Sequence, residues 1–290
     1  MKTLKVSDFF QSEHHAFSLF DMNCQSMEDV HEHEFDELVI VRNGSGFHII
    51  NDQAEFIHKG DFFIVSAHDV HCYESTNNLS ITNILLHTER PFHFISNIGV
   101  LTAGIKDYTA SMKKRRAGLT DEELAKVIEL TDKITRRCDA RYDNTYFATA
   151  ESYLLSMIVM LYQCATRREY RISPTDSGKR HLLNYLRENY TCSINWNYLC
   201  EESGVAKRTM FRFVKEITGY TPEKFQQRYR LLKTQELLRT SDLTIGKIAT
   251  LCGFSTTSRL TEAYKKQFNR TPTQERMRVS NSVIATPKGL

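Results

Sequence analysis

The spacing of apolar positions changes character along the chain, and each change predicts a different kind of element. Between about Phe17 and His87 the apolar residues come in short runs, Phe35 to Val41, Phe47 to Ile50, Ala54 to Ile57, Phe62 to Val65 and Leu79 to Leu86. Turn residues divide them at Asn43-Gly44-Ser45-Gly46, Asn51-Asp52 and Lys59-Gly60-Asp61. Short runs rich in Val, Ile, Phe and Leu between such punctuation predict strands, and several at this spacing predict an antiparallel sandwich or small barrel. After Leu119 the period lengthens. Thr120 and Glu123 form a capping box, and Leu124, Val127, Ile128, Thr131 and Ile134 mark one helical face running through Cys138. A second, more apolar helix is expected from about Asn144 to Thr166, through Tyr153, Leu154, Met157, Ile158 and Leu161. Two roles are open to these helices, packing on the barrel and pairing two protomers. Arg167 to Ser177, with Pro174, Thr175, Asp176 and Ser177, reads as a linker, and Lys113 to Arg116 as a solvated basic turn.

Beyond the linker one helical pattern occurs twice. Ile194, Tyr198 and Leu199 predict a short helix, Ser203-Gly204 a turn, and a second helix runs from near Ala206 to Thr218. Fifty residues on, Ile245, Ile248 and Ala249, then Cys252-Gly253-Phe254, then Ser255 to Phe268 repeat the sequence of elements. Each copy ends in Thr-Pro, at Thr221-Pro222 and Thr271-Pro272. Counted back from these, Met210 aligns with Leu260, Val214 with Tyr264 and Gly219 with Asn269. The apolar positions four apart are the inward faces of the two second helices. Lys207, Arg208, Arg212 and Lys215 then face outward in the first copy, and Thr256, Thr257, Ser258, Arg259 and Glu262 in the second. Outward Arg bonds guanine bidentately or holds phosphate, and Thr and Ser reach either group. Glu262 is expected to pair with Arg259. Between the copies Pro222 opens a connecting helix carried by Phe225, Tyr229, Leu232 and Leu237 to about Arg239. Its length of roughly 25 Å suits two recognition helices reading adjacent major grooves.

Charge supports that division. From Gly178 to Leu290 there are 20 Lys and Arg against 9 Asp and Glu, a net of +11, which leaves −8 for the remainder of a chain whose total is +3. An acidic half joined to a basic half fits a polyanion reader attached to a separate sensing module. No apolar run reaches the ~18 to 20 residues a bilayer span needs, and the start of the chain lacks a signal-peptide core. A cytoplasmic protein with no membrane association is expected. The seven cysteines, Cys24, Cys72, Cys138, Cys164, Cys192, Cys200 and Cys252, are scattered and never spaced as CxxC, and read as buried reduced thiols.

The run from Thr244 to Arg276, with Ile-x-x-Ile-Ala-x-x-Cys-Gly-Phe-Ser at its start and Thr-Pro near its end, resembles the C-terminal signature of the AraC/XylS transcription regulators. The resemblance covers Gly178 to Arg278 and implies base readout by Arg208, Arg212, Thr256 and Ser258. The chain departs from the family pattern at four places. Ala206 stands where a capping Ser is usual, Arg259-Leu260 where an aromatic pair is common, Asn269 where Gly is common, and Glu275 where an aromatic precedes Arg276. An uncapped helix start costs roughly 0.5–2 kcal/mol.

In the first half, His31-x-His33-x3-Glu37-x6-Gly44 is similar to the first cupin motif, and Gly60-x10-His71 resembles the second. Three imidazoles and a carboxylate brought together on strands suit direct contact with a small effector, a transition metal held by His31, His33, Glu37 and His71, or structural hydrogen bonding alone. Effector contact without a metal cofactor is the expectation, the metal site the alternative. Stretches such as His33 to Val41, Gly44 to His48, Gly60-Asp61-Phe62 and His71-x-Tyr73 resemble the L-rhamnose regulators of the same family, which implies a monosaccharide effector. His31, His33, Glu37, Phe47, His71, Tyr73 and Asn83 are the expected effector-binding residues.

These readings converge on an α+β two-domain regulator rather than an enzyme. Residues 1–166 form a cupin-like β-barrel with appended helices for effector binding and dimerisation, 167–177 the linker, 178–278 an all-α domain with two helix-turn-helix units, and 279–290 a flexible tail. The expected partners are double-stranded DNA at two adjacent major grooves, a monosaccharide, RNA polymerase and a second copy of the chain. A cupin metalloenzyme and a repressor of the same architecture are the alternatives.

Overall fold

The computed structural model describes residues 2–23, 29–110, 118–135, 142–166 and 182–284. The basic run Lys113 to Arg116, Cys24, Cys138 and the expected linker lie outside the described residues. Two compact units divide the chain, Met1–Ile50 with Phe56–Ile172, and Asn51–Glu55 with Ser173–Leu290. No described helix is long and apolar enough to cross a membrane.

The N-terminal unit is built on seven strands, β1 (Lys2–Leu4), β2 (Phe17–Met22), β3 (His31–His33), β4 (Asp36–Ile50), β5 (Gln53–His58), β6 (Phe62–Val65) and β7 (His71–Leu86). They form one sheet in the order β1-β3-β7-β4-β5, with β2 also on β7 and β6 also on β4. A short helix, α1 (Val6–Phe9), follows β1. The ladder does not return on itself among the described residues, so this half is an open, curled sheet rather than the closed barrel expected.

Asn43 to Gly46 is not a turn. It is a bulged bend inside β4, which pairs with β7 from Asp36↔Leu86 to Ile50↔His71 with three register shifts between Val41 and Phe47. Gly44 makes the bend, at φ +70°, where a Cβ would sit 2.2 Å from the Asn78 carbonyl oxygen. A residue without a Cβ both reaches that backbone conformation and permits the close approach.

Side-chain alternation along the strands separates two cores. Leu38, Ile40, Phe62, Ile64, Ile84 and Leu86 face the helices α2 (Ile98–Ala110), α3 (Asp121–Thr135) and α4 (Asn144–Thr166). Val39, Val41, Phe63, Val65, Tyr73, Leu79 and Ile81 line the other face. The capping box at α3 is closed by Thr120 N–H donating to Glu123 Oε2 at 2.8 Å and Glu123 N–H donating to Thr120 Oγ1 at 3.2 Å. Leu124, Val127, Thr131 and Ile134 are buried as expected, with Ile128 at the margin of the same core. Packing on the sheet, one of the two roles open to these helices, is therefore realised. Helix α2 has no counterpart in the sequence reading. Its Gly104 lies against α4 so closely that a Cβ would stand 2.5 Å from the Tyr162 ring.

The C-terminal unit is all-α. Residues 182–188 form α5, followed by α6 (Trp196–Ser203), α7 (Lys207–Thr218), α8 (Pro222–Thr240), α9 (Ile245–Leu251), α10 (Thr257–Phe268) and α11 (Pro272–Ile284). Five N-caps follow the Ser/Thr/Asn/Asp rule. Asn195 accepts from Tyr198 N–H, Thr221 from Lys224 N–H, Thr244 from Lys247 N–H, Thr256 from Arg259 N–H and Thr271 from Gln274 N–H. Leu231 and Leu238 of α8 join Ile248, Ala249, Cys252, Leu260 and Tyr264 in one core, which ties the connecting helix to the second unit. α11 carries helical backbone to Ile284. Cys72, Cys164 and Cys252 are buried free thiols, whereas Cys192 is exposed and Cys200 half-buried, against the expectation for those two.

Candidate nucleic-acid interface and buried histidine cluster

α7 buries Met210, Val214 and Thr218, and this spacing leaves Lys207, Arg208, Arg212 and Lys215 exposed. α10 buries Leu260 and Tyr264 and exposes Thr257, Ser258, Arg259 and Glu262, with Thr256 exposed at its N-cap. The eight residues expected to face DNA are thus all solvent-facing. Thr256 accepts the Arg259 N–H at its hydroxyl oxygen, which leaves its O–H and a second lone pair for an outside partner. One detail differs from the sequence reading. Arg259 and Glu262 form no ion pair, and Glu262 stands exposed on the same helix. In the first unit Lys207 Nζ lies over the Phe211 ring, 5.5 Å from its centroid, and Trp196 packs against the same Phe211 with ring centroids 4.5 Å apart.

The family departures acquire physical form here. Ala206 holds the extended backbone of an N-cap, φ −60° and ψ 140°, without a side-chain bond to give. Asn269 ends α10 in the left-handed region at φ 55°, as Gly219 ends α7 at φ 74°; Asn is the residue that tolerates this best after Gly. Glu275 is 2% exposed, and its two oxygens accept from Arg239 at 2.8 Å and from Arg270. Burial alone would raise its pKa, but the bonds from Arg270 and Arg239 outweigh burial and hold the carboxyl below its ordinary value. A buried ion triad therefore occupies the place of the usual aromatic.

In the N-terminal unit His33, Glu37 and His71 are all buried, and one ligand atom from each lies within 4.8 Å of the other two. β3, β4 and β7 supply them. Each histidine faces the carboxylate with Nε2, at 3.9 Å from Glu37 Oε2 in both cases, beyond hydrogen-bond reach. His33 Nδ1 bonds the Phe35 carbonyl, and His31 Nδ1 the Asp29 carbonyl at 3.0 Å. A carbonyl only accepts, so both Nδ1 atoms carry the proton and both Nε2 atoms present lone pairs. Burial pushes the pKa of His33 and His71 down, and for His71 the neighbouring His48, His31 and His33 add to it. His31 stacks near the cluster, its ring 4.4 Å from that of His71, but it is not within the 4.8 Å group.

The remaining expected effector residues divide. Asn83 pairs with Val39 on the inner face, and its Oδ1 is buried without a hydrogen bond. Tyr73 packs in the inner core beside His48, with ring centroids 5.1 Å apart. Phe47 does not join them. The bulge at Gly44 moves His48 and Ile50 to the inner face and places Phe47 on the opposite face, buried against Phe56 with ring centroids 5.5 Å apart. His48, which the sequence reading passed over, takes that inner position and bonds His71 Nδ1 through Nε2 at 3.0 Å.

The chain was compared with known proteins. A family described as AraC-like ligand binding domain matches residues 23–131, and one described as Helix-turn-helix domain matches residues 199–278. The chain is 29% identical over 272 residues to the HTH-type transcriptional activator RhaS of Shigella sonnei (strain Ss046), covering 94% of this chain and 96% of that protein. The same identity and coverage hold for RhaS of Escherichia coli O1:K1 / APEC. Among solved structures, the chain is similar to a transcriptional regulator from Chromobacterium violaceum with an AraC-type DNA-binding domain. There the identity is 25%, the coverage 39% of this chain and 96% of that one, and the TM-score 0.34.

Proposed function

Given that the chain belongs to the AraC family of transcription regulators, with a ligand-binding and a helix-turn-helix domain that both match, we propose that it activates sugar catabolic genes in response to a rhamnose-like monosaccharide. The observation that carries the reading is the pair of recognition helices, α7 and α10, each burying one face and presenting basic and hydroxyl side chains on the other. Arg208 and Arg212 are assigned base contacts from α7, and Thr256 and Ser258 from α10, with Lys207, Lys215, Thr257 and Arg259 on phosphate or sugar. The effector is received on the inner face of the sheet, where His31, His33, Glu37, His71, Tyr73 and Asn83 supply polar groups among apolar walls. Effector binding favours the arrangement of a cytoplasmic homodimer that reads direct repeats and contacts RNA polymerase. The family membership leaves the cupin metalloenzyme alternative without support.

A thermal-shift screen of monosaccharides tests the sensor, since a ligand that binds only the folded chain raises its midpoint. No rise with any sugar, at concentrations that saturate catabolic regulators, sinks the monosaccharide proposal. For the reader, Arg208→Ala is expected to weaken operator binding by about 1–3 kcal/mol and relax preference at one base pair. Uniform weakening across all sequences would instead assign Arg208 to phosphate.

A further inference from the structure

His33 Nε2 and His71 Nε2 are buried atoms with no hydrogen bond. Buried polar atoms in folded proteins nearly always find a partner, so two orphans aimed at one point call for something between them. The orientation is enforced from behind. The Phe35 carbonyl fixes the His33 tautomer with its lone pair on Nε2, and His48 bonds His71 on Nδ1, so that when Nδ1 donates, His71 Nε2 is a second lone pair. Backbone carbonyls and side chains behind imidazoles are the outer-shell arrangement that orients metal-binding histidines. Glu37 completes a three-membered group whose ligand atoms lie within 4.8 Å of one another. Around a tetrahedral ion with bonds of about 2.0–2.2 Å, ligand atoms stand about 3.3–3.6 Å apart. Each histidine Nε2 stands 3.9 Å from Glu37 Oε2, so closing each of these gaps by a few tenths of an ångström reaches that spacing.

We propose that His33, Glu37 and His71 bind one divalent first-row transition cation of the zinc, iron or nickel kind, with its other coordination positions left to oxygen ligands. Two imidazoles and one carboxylate suit these ions, whereas magnesium and calcium take oxygen sets. His31, the fourth member of the sequence alternative, is not a ligand in this assignment because it falls outside the group. The ion shares His33, Glu37 and His71 with the proposed effector face, but its binding does not depend on the effector being a monosaccharide.

The full-length protein, stripped with chelator and titrated with Co²⁺ in the absence of any sugar, is expected to take up one equivalent and develop visible absorption. Glu37→Gln and His71→Gln are each expected to weaken uptake tenfold or more with unchanged circular dichroism, and His31→Gln to retain it. X-ray absorption of the zinc-loaded wild-type protein is expected to show two imidazoles and oxygen in the coordination shell, a measurement that needs no variant to fold. Absence of stoichiometric uptake, uptake indifferent to both ligand variants, or a shell containing sulfur overturns the assignment. Uptake without any sugar response leaves the site standing and removes the monosaccharide proposal alone.

Discussion

Ala206→Ser is the perturbation whose size the structure sets most narrowly. The Ala206 backbone, φ −60° and ψ 140°, nearly coincides with that of Thr244 (−62°, 152°) and Thr221 (−65°, 156°), which do cap their helices. A serine there needs no backbone movement to offer its hydroxyl oxygen. One of the first-turn donors is already engaged, since Thr209 N–H bonds the Ala206 carbonyl at 2.9 Å. The new oxygen therefore gains chiefly the Arg208 N–H, which helix geometry leaves without an intrahelical acceptor. That places the gain toward the lower half of the capping range, about 0.5–1 kcal/mol. With a urea slope of about 1–3 kcal/mol/M, the midpoint rises by about 0.2–1 M. The assay is built into the fold, because Trp196 is the single tryptophan and its ring lies 4.5 Å from Phe211 of α7. Its fluorescence follows the first reading unit directly. A midpoint that is unchanged or lowered, with the native emission spectrum retained, would refute the reasoning that this helix start lacks only an acceptor.

Two further outcomes follow from packing and charge. Gly104→Ala, which places a Cβ 2.5 Å from the Tyr162 ring of α4, is expected to destabilise the N-terminal unit by about 1–3 kcal/mol despite the better helix propensity of alanine; a thermal midpoint that rises refutes the close approach. For Glu275 the folded pKa lies below its unfolded value, so its contribution is complete above about pH 4.3 and is lost as pH falls through the folded pKa. Glu275→Gln should lower stability at neutral pH, and the gap from wild type should narrow as pH falls below about 4; parallel stability curves through the acid range, followed by circular dichroism, exclude the ion triad as their source.

What was legible in the sequence tracks how local the determining physics is. The two second helices and the connecting helix are legible to within two residues because their signals are near neighbours, Thr221 with Pro222 and Met210 four before Val214, whereas α5 and α11 have no counterpart in the sequence reading. Helix α2 was missed because its own sequence argues against it. Gly99 and Gly104 dilute the pattern, and Gly104 is kept by a contact with Tyr162, fifty-eight residues away. The expected Arg259–Glu262 pair also failed, although three-residue spacing allows it; an exposed pair of this kind gains only about 0.3–0.5 kcal/mol and competes with full solvation. Glu275 is the converse case. Its partners Arg239 and Arg270 lie on other elements, and nothing in the local pattern distinguishes a buried, doubly bonded carboxylate from an exposed one.

The effector half turns on a single residue's worth of register. Reading Asn43 to Gly46 as a turn restarts the alternation at Phe47 and places that aromatic with the histidines. The chain instead continues as one strand through a bulge, and an extra residue in a strand exchanges the faces of everything beyond it. His48 then faces inward, bonds His71, and holds in place one of the two imidazoles that meet Glu37. The HxHxxxE spacing accounts for His33 and Glu37 because both lie before the bulge, where alternation counts correctly. His71 comes to them through strand pairing distant in sequence, since β3 meets β7 at His31↔His71 and β4 runs along β7 from Glu37↔Leu85 to Ile50↔His71. No local spacing announces that pairing, and the bulge at Gly44 lies within the β4–β7 ladder that completes it.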